Sequence, residues 1–221
     1  MAKGIRQCRA RVCFIAVAWL GICFCTGFAA PPASACPNLI DCTPNHAHKS
    51  GIWSVAKAGL FPAALIGTTG ALALWEGDHS RFGNTLWQSL DAAAIAGIST
   101  FALKSAFQRA RPHQAPGHPN DWFSGINHRS FPSGDVSSIA ALVTPPMLEY
   151  GPGDPWVYAL AVLPAYDAAA RVEYRDHYPT DVIAGLALGF ASGWLAHHYG
   201  KHHIVVSLLP QGVLVGFKNV F

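Results

Sequence analysis

The stretch from Arg171 to Asp181 reads R-V-E-Y-R-D-H-Y-P-T-D and holds a nucleophile together with a group that could orient it. Pro179 is favoured at the first position of a helix, so a helix is expected to begin beside it, with Asp181 one turn beyond His177. That spacing suits a hydrogen bond between imidazole and carboxylate. Such a bond fixes the tautomer and leaves the other ring nitrogen bare, the form in which histidine attacks. Arg171, six residues upstream, could hold an anion in front of the ring. An isolated His-x3-Asp is more often a satisfied histidine in a polar turn, so the reading depends on what the rest of the chain contributes.

Lys104 and Arg111 are seven residues apart on a helix expected over Thr85 to Ala110 and ending at Arg111-Pro112, which would put both cations on one face. Phe131-Pro132-Ser133-Gly134-Asp135 follows a loop and opens the next helix. The Ser133 hydroxyl and the first backbone N–H groups there favour an anion. With Arg171, the set comprises three fixed cations, a helix N-terminus and a histidine. It fits a phosphoryl group and its in-line transition state.

The elements that must position these residues read as helices. The loop Gln114–Ser130 carries Pro116, Gly117, Pro119, Asn120, Gly125 and Asn127, a length typical of functional loops. A helix over Val136–Tyr150, interrupted at Pro145-Pro146, is expected next, then a turn at 151–155 and helices over Trp156–Arg171 and Val182–Tyr199. Gly185, Gly189 and Gly193 recur at four-residue spacing and permit close packing. Upstream, Trp53–Trp75 is apolar but broken by Lys57 and Pro62, either one kinked membrane helix or two short buried ones. The expected fold is an all-α helical bundle with a short C-terminal β-hairpin, where V-V-S-L-L and V-L-V-G-F flank Pro210-Gln211-Gly212. The cluster His197, His198, Lys201, His202 and His203 reads as a basic helix end, since neither Cys nor carboxylate accompanies it as a metal site would require.

At 221 residues the chain is expected to form one domain. The hydrophobic share is 51% and the charged share 12%, against about 25% in ordinary soluble chains, so membrane association is expected. The net charge of +3 owes much to Lys3, Arg6, Arg9 and Arg11, and no nucleic-acid reading follows from it. Those residues precede an apolar run, Val12–Ala30, and then P-P-A-S-A-C with small residues at Ala33 and Ala35. This has the form of a secretory signal over 1–35, cleaved before Cys36, a lipoprotein signal being disfavoured by Ala33; a retained anchor is the alternative. Cleavage would leave Cys36 and Cys42 to form one short disulfide in an oxidising compartment, the periplasm or the periplasmic face of the inner membrane. Residues 36–52 are expected as an exposed lead-in, 53–203 as the helical domain and 204–221 as the hairpin.

The chain resembles the superfamily of type 2 phosphatidic acid phosphatases, bacterial acid phosphatases and vanadium haloperoxidases. Its motifs read K-x6-R-P, P-S-G-H and S-R-x5-H-x3-D, and here Lys104–Pro112, Pro132–Asp135 and Ala170–Asp181 supply them in order. The resemblance implies that Lys104, Arg111 and Arg171 bind phosphate oxygens with Ser133 and the backbone at Gly134. It makes His177 a nucleophile that becomes a phosphohistidine, and Asp181 its orienting partner. It calls for no metal, while haloperoxidases hold vanadate in the same pocket.

Two positions depart from the motifs. Ala170 replaces Ser, a minor change. Asp135 replaces the His that, in the family, protonates the leaving group. An Asp beside three cations stays ionised at neutral pH and makes a poor acid. Hydrolysis of a diphosphate, such as a prenyl diphosphate, suffers less than that of an alkyl monoester, because its leaving group is less basic. Alternatively His113, His118 or His128 takes over the acid role. The expected function is therefore hydrolysis of a lipid phosphate or diphosphate. A soluble periplasmic acid phosphatase acting on small phosphate esters, a non-catalytic phospholipid-binding homologue and a haloperoxidase stand behind it.

Overall fold

The computed structural model of the chain describes residues 40–44, 47, 50–200, 202–209 and 212–219. The segment read as a signal or anchor, and Cys36, lie outside the described residues, as do residues 210 and 211 between the two strands.

Among the described residues, five α-helices make up the body: α1 Leu60–Glu76, α2 Arg81–Phe107, α3 Gly134–Tyr150, α4 Val162–Glu173 and α5 Pro179–Tyr199. A 3₁₀ segment, Gly51–Gly59, precedes α1, and a second, Pro155–Ala161, leads into α4. Strands β1 His202–Leu209 and β2 Gly212–Asn219 pair antiparallel, with Val205 opposite Gly216. The protein is all-α in its core.

α3 packs against all four of the other helices. Its closest neighbour is α5, and the glycines of α5 are the reason. A Cβ on Gly185 would stand 2.7 Å from the Ser133 carbonyl oxygen, one on Gly189 2.3 Å from that of Ser137, and one on Gly193 2.4 Å from the Thr144 Cβ. The seam is thus backbone against backbone, and small residues continue it on the α2 side, where Ala92, Ala96, Ala141 and Ala196 are buried together. Val136, Ala168, Val172 and Val182 fill the angle between α3, α4 and α5. The Ser133 amide donates to the Asp181 carbonyl at 3.0 Å, so α3 and α5 start side by side.

Three expected helices differ from those observed, the one over Trp156–Arg171 being 3₁₀ as far as Ala161 and α-helical from Val162 to Glu173. α2 ends at Phe107 rather than Ala110: Gln108 turns left-handed (φ 44°) and its amide donates to the Lys104 carbonyl. Arg111 therefore lies beyond the helix, and Lys104 and Arg111 do not share a helical face. α3 runs unbroken through Pro145 and Pro146, giving up two amide donors without stopping. The apolar stretch over 53–75 becomes the first 3₁₀ segment and α1, separated by Gly59 at φ 71°. Neither is a buried helix, since Val55 in the first and Leu60, Leu74 and Trp75 in the second are exposed. α2 is long and apolar enough to cross a membrane, by length and composition.

The lead-in is not wholly exposed. Asp41 and Thr43 are buried, and Cys42 between them is disulfide-bonded, its partner cysteine lying outside the described residues. Asp41 is held by Arg109 and by the Thr180 amide and hydroxyl, contacts that a Pro- and His-rich composition does not announce.

Candidate active site

The end of α2, the start of α3, the end of α4 and the start of α5 meet at one end of the bundle. Each brings a charged or nucleophilic residue. α4 ends with Arg171 in its last turn, α5 begins two residues after His177, and Asp181 lies in the first turn of α5.

Arg109, at 1% exposure, is the fixed point beneath them. Its Nη1 donates to Asp181 Oδ1 at 2.5 Å and Thr180 Oγ1 at 2.7 Å, its Nη2 to Asp41 Oδ2 at 2.7 Å, and its Nε to the Pro119 carbonyl at 3.0 Å. Trp122 and Tyr178 place their rings within 4.5 and 4.3 Å of the guanidinium carbon. Every donor direction of this arginine is used. It is a structural cation that balances two buried carboxylates, and it differs from the arginine two residues later.

Asp181 Oδ2 accepts from Ser130 Oγ at 2.6 Å and from the Tyr178 amide at 2.9 Å. The His177 Nδ1 stands 3.8 Å from Asp181 Oδ2 and 3.5 Å from Ser130 Oγ. The direct His177–Asp181 contact is thus electrostatic, longer than a hydrogen bond, and Ser130 touches both groups. Because Ser130 gives its proton to the carboxylate, its oxygen can only accept from the ring. That arrangement keeps the proton on Nδ1 and leaves Nε2 bare.

Burial, then the positive charges of Lys104 and Arg111, push the His177 ring below its ordinary value against the pull of Asp181, so it is neutral at neutral pH. Burial pushes the Asp181 carboxyl up, but His177, Arg109 and the Ser130 hydroxyl outweigh it and hold the group below the ordinary carboxylate range.

Around this pair stand the expected anion ligands. Lys104 donates to the Arg129 carbonyl at 2.7 Å and passes the start of α3, where a Cβ on Gly134 would come within 3.6 Å of its Cε. Burial, then Arg111 and Arg129, push the Lys104 amine down to about 8. Ser133 is fully buried, its hydroxyl does not cap its own helix, and it has no hydrogen-bond partner among the described residues. Arg171, 4% exposed, meets Asp135 Oδ2 at 2.9 Å and Asp167 Oδ1 at 3.3 Å. Asp176 lies between the arginines, 3.9 Å from Arg111 and 3.9 Å from Arg171. Asp167 is itself fully buried, and burial pushes its carboxyl up to about 6 despite Arg171.

Five residues of this arrangement escape the motif reading: Asp41, Arg109, Ser130, Asp167 and Asp176. Asp167 had a signal, since it lies one helical turn before Arg171. Arg109 was masked by the expectation that α2 continues past it. The loop histidines separate: His113 Nδ1 reaches the Arg175 carbonyl at 3.0 Å and Asp176 at 3.8 Å. Among the described residues no group of three or more His, Cys, Asp or Glu is arranged to hold a metal.

The helix ends thus bring Lys104, Arg111, Ser133, Arg171 and His177 to one end of the bundle, and the PAP2 superfamily matches residues 85–204 of this chain. The chain belongs to the PAP2 superfamily. Among its relatives is a lipid A 1-phosphatase of Porphyromonas gingivalis, 28% identical over 125 residues, which are 56% of this chain and 25% of that protein. The chain thus matches about a quarter of that relative's length. Among solved structures it is similar to Aquifex aeolicus LpxE, with a TM-score of 0.46 and 18% identity, over 64% of this chain and 86% of that one.

Proposed function

We propose that the chain hydrolyses a phosphate or diphosphate carried by a lipid, through a phosphohistidine on His177. The observation that carries this reading is the Ser133 hydroxyl, fully buried and without a partner at the N-terminus of a helix beside Lys104. A buried hydroxyl in that state is destabilising unless a ligand satisfies it, and the amides of the first helical turn, which lack partners within the helix, favour an anionic one.

In the proposed reaction the phosphoryl oxygens take Lys104, Arg111, Arg171, Ser133 and the Gly134 amide as partners. His177 Nε2 attacks phosphorus, the bond to the leaving oxygen breaks, and Asp181 with Ser130 stabilises the ring as it becomes cationic. Water then attacks phosphorus and releases His177. Fixed cations neutralise the developing charge, so turnover is expected to persist in a chelator. For Arg171 to receive the substrate it must exchange Asp135 for phosphate.

The lipid in this proposal is supported by the apolar surface and by the name of the Porphyromonas gingivalis relative. An exported site, on the periplasmic side of a membrane, fits the disulfide at Cys42. Phosphate release from a prenyl diphosphate and from phosphatidic acid, with His177→Ala as the blank, tests the reading. Release above the blank supports it. A protein that retains both lipids and releases phosphate from neither would instead be a binding module, a reading favoured by the Asp135–Arg171 pair.

A further inference from the structure

Asp135, which pairs with Arg171 in the structure, gives that position no histidine to protonate the leaving oxygen of an alkyl phosphate. Three histidines lie in the loop after α2, and the described contacts tie one of them to the anion-binding residues. His113 Nδ1 is 3.0 Å from the Arg175 carbonyl and 3.8 Å from Asp176 Oδ1. The same carboxylate lies 3.9 Å from Arg111 through Oδ1 and 3.9 Å from Arg171 through Oδ2.

A carbonyl oxygen only accepts, so the Nδ1 facing it carries the hydrogen and Nε2 is the atom that gains and loses a proton. Asp176 Oδ1 stands 3.8 Å from the same Nδ1 and helps to hold the ring in place. His113 is half exposed, whereas His177 is buried. In an in-line displacement the leaving group departs on the side away from the nucleophile, so its proton donor must be a residue other than the buried His177.

We infer that His113, steered by Asp176, is the proton donor to the leaving group; this rests on the phosphatase reading above. As the phosphorus–oxygen bond breaks, the Nε2 proton of the His113 imidazolium passes to the departing oxygen and the ring becomes neutral. In the second half Nε2 takes a proton from the attacking water as the bond between His177 and phosphorus breaks. The cycle returns both rings to their starting states.

The test compares two esters that differ in their need for that proton. Diacylglycerol leaves poorly from phosphatidic acid, and p-nitrophenolate leaves p-nitrophenyl phosphate without help. His113→Ala is expected to lower kcat/KM on phosphatidic acid by roughly 10² to 10⁴ fold and on p-nitrophenyl phosphate by less than about tenfold. Adding Asp135→His to that variant is expected to recover much of the loss on phosphatidic acid. Equal losses on both esters would make His113 a structural residue of the turn and overturn the inference, as would no loss on either. Retained hydrolysis of p-nitrophenyl phosphate shows that the variant is folded. If the unaltered chain turns over neither ester, the phosphatase reading itself fails, an outcome distinct from any pattern confined to His113→Ala.

Discussion

Two arginines two residues apart have opposite roles. Arg109 is enclosed by two carboxylates, a carbonyl and two rings, and removing it strands Asp41 and Asp181 as buried charges. Arg109→Ala is therefore expected to cost about 3 to 5 kcal/mol of stability, read as a fall in the urea midpoint. Arg111, partly exposed and beside Asp176 only at 3.9 Å, is expected to cost binding and little stability. Lys104 offers a pH signature. Its amine is pushed down to about 8, so it is cationic below that pH and neutral above it. As a phosphate ligand it should let kcat/KM fall as pH rises through about 8, and Lys104→Met should lower kcat/KM and flatten that limb. Lys104, Arg111, Ser133, Gly134, Arg171, His177 and Asp181 could be proposed from sequence because each lies in a short motif, although the helical face expected to join Lys104 and Arg111 is not formed. Asp41 could not, since its partners Arg109 and Thr180 are 68 and 139 residues away and nothing local marks the pairing.

At the scale of elements, the site depends on how closely α3 and α5 approach. The glycine spacing in α5 announces the seam, and the structure places it against Ser133, Ser137 and Thr144. Gly189→Ala would set a Cβ 2.3 Å from the Ser137 carbonyl oxygen, so the helices must separate. A loss of about 1 to 3 kcal/mol is expected in thermal or urea unfolding. Because the Ser133 amide is bonded to the Asp181 carbonyl, separation also pulls the start of α3 from the start of α5, and phosphate affinity should fall. The end of α2 was the element least legible in sequence. Gln108, Arg109 and Ala110 continue past Phe107 with good helical propensity, but the burial of Arg109 requires the chain to leave the helix, and Gln108 makes that turn.

For the molecule as a whole, the low charge of the sequence appears as exposed apolar side chains. Trp75 is 90% exposed, Ile126 74%, Phe123 71% and Ile98 71%. Phe123 and Ile126 lie in the loop that also supplies Arg129 and Ser130, so part of the apolar surface adjoins the site. Sedimentation with phospholipid vesicles is expected, and Phe123→Ser with Ile126→Ser should weaken it while leaving hydrolysis of p-nitrophenyl phosphate in place. The N-terminal segment contributes to the site as well. Reduction of the disulfide at Cys42 frees the neighbour of Asp41, and with it the partner of Arg109, so a reductant should lower both the melting temperature and activity.

The most direct measurement is to acid- or alkali-quench a turning-over sample and locate the phosphoryl group by mass spectrometry. An acid-labile, alkali-stable adduct on His177, absent from His177→Ala, is the predicted result. Turnover of the lipid substrate with no adduct on His177, or with undiminished rate in His177→Ala, would contradict it.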